Sequence, residues 1–170
     1  MDIYNQIGKI ALGSRIRRLS ENIADEASQI YKLYNIELQP KWFPVFYVLS
    51  KGQQKSISII AIEIRHSQPS VSKIVAEMVK KGIVIESKDS ADKRKNVISL
   101  TKKALKMSSK IEHQYKDVNI AIDNALAETN SNLWKALEEW EYLLTQKSLL
   151  ERVKEQKKIR ESQEDRKSVV

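Results

Sequence analysis

Helix-breaking residues are scarce in this chain, and their positions partition it. Only four glycines and three prolines occur in 170 residues, so each one fixes a boundary that a regular element must respect. Pro40 and Pro44 keep a helix from starting before about Lys41, because proline is tolerated only in the first helical turn, where no amide hydrogen is needed. Gly52 closes that helix, Pro69 opens another and Gly82 ends it. Upstream of Pro40, Ile7, Ile10, Ala11, Ile16, Leu19, Ile23, Ala27, Ile30 and Tyr34 recur at mostly three- and four-residue steps. That spacing predicts one long amphipathic helix ending near Asn35, with Gly13 as its weak point. Phe43, Phe46, Val48 and Leu49 are the expected core contacts of the next helix.

The middle of the chain holds two short helices and a hairpin. SISIIAIEIR alternates apolar and polar residues like a strand, but HSQPSVSKIVAEMVKKG follows at once, which favours a short helix. In that second segment Ser67 is placed to cap, Pro69 falls in the first turn, and Val71, Ile74, Val75 and Met78 share one face. Two short helices joined by a tight turn form a helix-turn-helix, whose second helix enters the major groove of DNA. Ile83, Val84 and Ile85, then SKDSADKRK, then NVISL, read as strand, turn and strand. Lys93, Arg94 and Lys95 crowd the tip, with Asp92 placed to pair with Arg94. An extended arginine suits the negative potential of a narrow minor groove.

The charge map points to the same region. The net charge is +8; residues 51–110 carry fourteen basic and five acidic side chains, whereas 1–50 carry six and five, 111–150 three and seven, and 151–170 seven and five. Concentration in one third of the chain favours a polyanionic partner over general solubility. There is no cysteine, which excludes disulfides, thiolate metal sites and thiol switches. With no apolar leader and no long apolar run, the expected address is cytoplasmic, away from membranes. Glycine-rich phosphate loops, H-x-x-x-H and C-x-x-C patterns are absent, so the chain is expected not to be an enzyme and to need no metal or cofactor.

From Ser67 to Thr101 the chain resembles the MarR family of bacterial regulators. The likeness combines S-Q-P-x-V-S-[KR] at the start of the second short helix, M-V-x-K-G-I-V at its exit, and D-x-R-x-x-x-x-x-L-T from Asp92 to Thr101. It extends back through LQPKWFPVFYVL and covers most of residues 5–150. The implied fold class is mainly α, a winged helix-turn-helix over 36–101 with a two-stranded β wing, flanked by dimerisation helices at 1–35 and 102–155 in a single domain of 1–155. Residues 156–170 are expected to be a charged tail, linker or helix end. By position, the resemblance implies that Gln68, Pro69, Ser70 and Ser72 approach bases or phosphates, that Lys73 neutralises a phosphate, and that Lys93, Arg94 and Lys95 act at the wing. The family usually has glycine where this chain has Arg65, at a position that often needs positive φ. His66 beside it reads as structural.

The remaining helices carry apolar residues at helical spacing: Ala104, Met107, Ile111, Tyr115, Val118, Ile122 and Leu126 after a capping Thr101, then Trp134, Leu137, Trp140, Leu144 and Leu149 after Asn130–Asn132. Ile7, Ile10, Trp134, Leu137, Trp140 and Leu144 are the expected dimer contacts, because so small a domain offers terminal helices little else to bury against. The resemblance then implies a homodimeric repressor on a pseudo-palindromic double-stranded site. It further implies a small aromatic or anionic effector among Trp42, Phe43, Phe46 and Tyr47, with Arg15 or Arg18 as counter-charge. Two alternatives stay open: a regulatory module related to MarR/acetyltransferase fusions, and a winged helix used for protein contacts.

Overall fold

A computed structural model describes residues 3–168. It divides into two compact units, one reaching Lys116 and one from Asp117 onward.

The first unit opens with α1 (Ile3–Ile7), a 3₁₀ turn (Gly8–Ala11) and α2 (Leu12–Leu33). The expected single helix is therefore interrupted, and at Gly8 rather than Gly13. Gly8 has φ +78°, which no α-helix contains, and the turn it makes buries Ala11. Gly13 lies inside α2. Across the break, the Arg18 guanidinium stands 4.6 Å from the centre of the Tyr4 ring.

A 3₁₀ turn (Pro40–Trp42) leads into α3 (Phe43–Ser50), as the prolines require. Its buried face is Trp42, Val45, Phe46 and Leu49, at i, i+3, i+4 and i+7. Phe43, expected in the core, lies one helical position outside that face and stays exposed; Val48 is only partly buried. Then come α4 (Ile57–Glu63) and α5 (Gln68–Lys80). SISIIAIEIR is helical because Ser56 caps it, accepting from the Ile59 amide at 3.3 Å, and because helical periodicity buries Ile60 and Ala61 together. Ser67 caps α5 in the same way, accepting from the Ser70 amide at 3.4 Å.

Strands β1 (Val84–Lys88) and β2 (Asn96–Leu100) form the antiparallel wing, in a register running from Val84 opposite Leu100 to Lys88 opposite Asn96. Lys55 adds a bridge to Ile98 from the other side. One apolar core joins these parts: Trp42, Phe46 and Leu49 meet Ile60, Val71, Val75 and Met78, and are roofed by Ile83, Ile98 and the inner face of α6 (Lys102–Ala127) at Ala104 and Ile111. Burying each large aliphatic or aromatic side chain contributes about 1.5–3 kcal/mol.

Three helices end by one device. The residues after α2, α4 and α5 adopt left-handed backbone at Asn35 (φ 52°), Arg65 (φ 52°) and Gly82 (φ 65°). In each case the next amide, of Ile36, His66 or Ile83, reaches back at 2.9 Å to the carbonyl of Tyr31, Ala61 or Met78. Arg65 therefore adopts the positive φ that its position demands, and the His66 ring nitrogen Nδ1 is 2.7 Å from the Ile64 carbonyl, within the turn.

In the second unit α6 continues to Ala127, and α7 (Leu133–Gln146) starts at an Asn132 cap whose Oδ1 accepts from the Lys135 amide at 3.0 Å. The chain then breaks before Leu149, which belongs to a further helix, α8 (Leu149–Ser168). The cause is a reciprocal capping box: Glu151 accepts from the Ser148 amide at 2.8 Å, and Ser148 Oγ accepts from the Glu151 amide at 3.2 Å. The charged stretch up to Ser168 continues α8, with Glu164 accepting from Arg160 at 2.8 Å and Lys147 pairing with Glu155; residues 169–170 lie outside the described residues. No helix among the described residues is long and apolar enough to cross a membrane.

Candidate nucleic-acid interface

The first turn of α5 presents Gln68, Pro69, Ser72 and Lys73 to solvent, with Ser70 half-buried behind them. This follows from the helix itself: Val71, Val75 and Met78 bury one face, so the residues between them must point outward.

The wing tip is held by its own carboxylates. Asp89 Oδ1 accepts from the amides of Ala91 at 2.7 Å and Asp92 at 2.9 Å, while the Asp89 amide donates to the Lys95 carbonyl at 2.9 Å. Those amide bonds hold the Asp89 carboxyl below the usual carboxylate range. Asp92 Oδ1 accepts from Arg94 Nε at 3.1 Å, the ion pair that the sequence suggested, and its carboxyl is lowered first by that side chain and then by the Arg94 amide. Even so paired, the Arg94 side chain is 91% exposed. Asn96 Nδ2 donates to Glu86 at 2.6 Å across the hairpin and stiffens its base.

Between α4, α5 and the wing lies a groove of about 680 Å³, with Gln68 and Lys95 among its walls. Gln54, Ser56, Ser58 and Asn96 line it too. Sequence reasoning passed these four over, because the start of α4 reads as a cap and a core segment. Their polarity at the mouth of a helix-turn-helix was the available signal.

The residues proposed for an effector do not converge. Trp42 and Phe46 are core; the Trp42 indole donates to Glu77 at 3.0 Å, and Lys41 bonds the same carboxylate at 2.9 Å. Arg15 is exposed on α2, and Arg18 is engaged by Tyr4. Phe43 and Tyr47 instead join Tyr115 in an aromatic trio, with Phe43 and Tyr115 edge to face at 5.0 Å. Burial pushes the Tyr31 phenol up to about 12, and raises Tyr115, which also feels Tyr31 and Tyr47, above the ordinary tyrosine value. Among the described residues, the Tyr115 hydroxyl and Gln114 Oε1 are buried without a hydrogen-bond partner. Among the described residues, no three His, Asp or Glu side chains gather to hold a metal ion.

No family model and no curated protein matches the chain. Known structures do. A MarR family regulator from Neisseria meningitidis aligns over 89% of this chain and 99% of its own, with TM-score 0.56 and 17% identity. The fold is that of the MarR regulators. The PcaV transcriptional regulator from Streptomyces coelicolor, in complex with its natural ligand, covers 80% of this chain and 92% of its own, at TM-score 0.58 and 13% identity. The adhesin competence repressor from Streptococcus pyogenes covers 79% and 96%, at TM-score 0.55 and 18% identity. Within this MarR-type fold, α5 occupies the position of the second helix of the helix-turn-helix and β1–β2 that of the wing.

Proposed function

We propose that the chain is a DNA-binding transcriptional regulator that reads double-stranded DNA with α5 and the wing. The observation that carries this reading is the groove that Gln68 and Lys95 both line, with Lys73 exposed on the same helix as Gln68 and Lys93 and Arg94 exposed beside Lys95 in the wing tip. Gln68 offers the amide pair that recognises adenine, the lysines neutralise phosphates, and Arg94 is extended enough to enter a minor groove.

Dimerisation is part of the proposal. Ile10 is 88% exposed, and Ile7, Trp134, Leu137, Trp140 and Leu144 are also open to solvent. Such apolar surface calls for a cover, and a second copy would supply it while presenting two recognition helices to a pseudo-palindromic site. Repression, with release by a small aromatic ligand at the Phe43, Tyr47 and Tyr115 trio, completes the reading; the unpartnered Gln114 Oε1 and Tyr115 hydroxyl favour a ligand with a polar edge.

Titration of a labelled duplex at several salt concentrations tests DNA binding. If Lys73, Lys93 and Lys95 of two protomers meet phosphates, the logarithm of affinity falls against that of salt with a slope of about −5. Affinity that does not change with salt would refute the reading.

A further inference from the structure

A second concentration of positive charge lies at the other end of α5. Thr101 fastens the start of α6 to the exit of α5: its Oγ1 donates to the Gly82 carbonyl at 2.8 Å, and its amide to the Ile83 carbonyl at 3.0 Å. Lys102, Lys103, Lys106 and Lys110 therefore stand together and line an open cleft of about 490 Å³ with Asn35 and Met107. A neighbouring cleft of about 500 Å³ adds Lys32, Lys81 and Glu37. Among the described residues, Glu37 is the one carboxylate in the lining of either cleft; it bonds Lys103 at 2.8 Å. Lys103 and, more weakly, Lys81 hold its carboxyl below the ordinary range.

This arrangement is unfavourable for the helix that carries it. Lys102, Lys106 and Lys110 follow at four-residue steps, so their ammonium groups share a face and repel. Lysines in the first turn also oppose the helix dipole, and no acidic residue in that turn offsets them. Among the described residues none of these three lysines has a carboxylate partner. A local conflict kept on an exposed surface, where a neutral residue would suit the helix better, marks a site with another task.

We propose that this lysine basin binds a small phosphate-bearing anion, with Lys102, Lys106 and Lys110 supplying the charge and Glu37 competing with the ligand for Lys103 and Lys81. Lysine is a compact point charge suited to phosphate oxygens, and a cleft with so many ammonium groups calls for several negative charges on one ligand. The basin lies apart from the bases that α5 would read, and a duplex titration distinguishes its ligand from duplex phosphates. Helix α5 runs 13 residues from Gln68 to Lys80, so its base-reading turn lies about 20 Å from the basin. An occupant would bear on the Gly82 to Thr101 junction from which α5 is suspended. That consequence for DNA affinity rests on the function proposed above, whereas the binding itself does not.

Calorimetric titration with inorganic tripolyphosphate, at fixed ionic strength, tests the proposal. The unaltered protein binds; Lys102→Gln/Lys106→Gln/Lys110→Gln weakens binding by about tenfold or more, with a melting temperature in the absence of anion that is unchanged or higher. Glu37→Gln, which removes the internal competitor, tightens binding. No binding by the unaltered protein, or equal affinity in the triple variant, overturns the proposal. A parallel duplex titration separates the two readings. If the triple variant lowers the salt slope for duplex while tripolyphosphate does not bind, the lysines are DNA contacts and the basin is refuted. Tripolyphosphate binding without duplex binding upholds the basin and refutes the DNA reading.

Discussion

Replacing Arg65 by glycine should stabilise the protein. Arg65 holds φ 52° at the end of α4, with its amide 3.2 Å from the Ile62 carbonyl and the following His66 amide 2.9 Å from the Ala61 carbonyl. An L-residue in left-handed backbone costs about 1–2 kcal/mol. Glycine removes that cost but gives the unfolded chain about 0.4–1 kcal/mol of additional entropy to lose. The expected gain is the difference, about 0.5–1 kcal/mol, or a rise in melting temperature of about 1–4 °C for a chain of this size. Arg65→Ala is the matched control, because it keeps the strained backbone and removes only an exposed side chain; it should lie within about 0.5 kcal/mol of the parent. Urea unfolding of all three proteins, at one fixed protomer concentration, gives the comparison without interference from association. A glycine variant no more stable than the alanine variant would show that the turn stores no conformational strain at Arg65.

Gly82→Ala is the converse: among the described residues, none beyond its chain neighbours comes within 4 Å of an added Cβ, so the loss read by urea unfolding, about 1 kcal/mol, is conformational. Arg94→Ala should weaken duplex binding and flatten the preference for A·T-rich flanks in selected sequences; an unchanged preference would remove the wing from the minor groove. The Asp89 and Asp92 carboxyls lie below their unfolded values, so their contribution to wing order is complete above about pH 4 and is lost as pH falls through the lowered folded values. The protection factors of the Ala91, Asp92 and Arg94 amides should fall there, ahead of those in α5. Leu137→Glu/Trp140→Glu should sediment as a monomer and lose duplex affinity, whereas a variant that still sediments as a dimer would place the interface elsewhere.

Much of the winged helix-turn-helix was legible because local chemistry determines it. Pro69 and Gly82 bound α5, Ser67 and Thr101 cap their helices through their own side chains, and the Asp92–Arg94 pair forms across two residues. Where the reading erred, a tertiary contact or a one-residue offset decided the outcome. Gly8 and Gly13 look alike in an amphipathic pattern, and what distinguishes them is the burial of Ala11 in the turn that Gly8 makes. On α3 the reading had Phe46 and Leu49 right but gave Phe43 and Val48 in place of Trp42 and Val45, which complete the buried face. The capping box of Ser148 and Glu151 was equally readable. The lysine basin was not, because Asn35 and Lys110, or Lys32 and Lys81, come to line one cleft only once the chain has folded.

The bonds that Lys41 and Trp42 make to Glu77 fasten α5 to the start of α3 and would bear on its aim if it reads DNA as proposed. Glu77 is nine positions beyond Gln68, and at about 100° per residue the two side chains leave α5 in opposite directions. In the reading proposed above, a carboxylate pinned on one side of α5 would set the azimuth at which the amide on the other side meets a base edge. Losing that pin would let the helix roll, and the fault would appear as blurred discrimination between duplexes while the charge-driven part of affinity stayed intact.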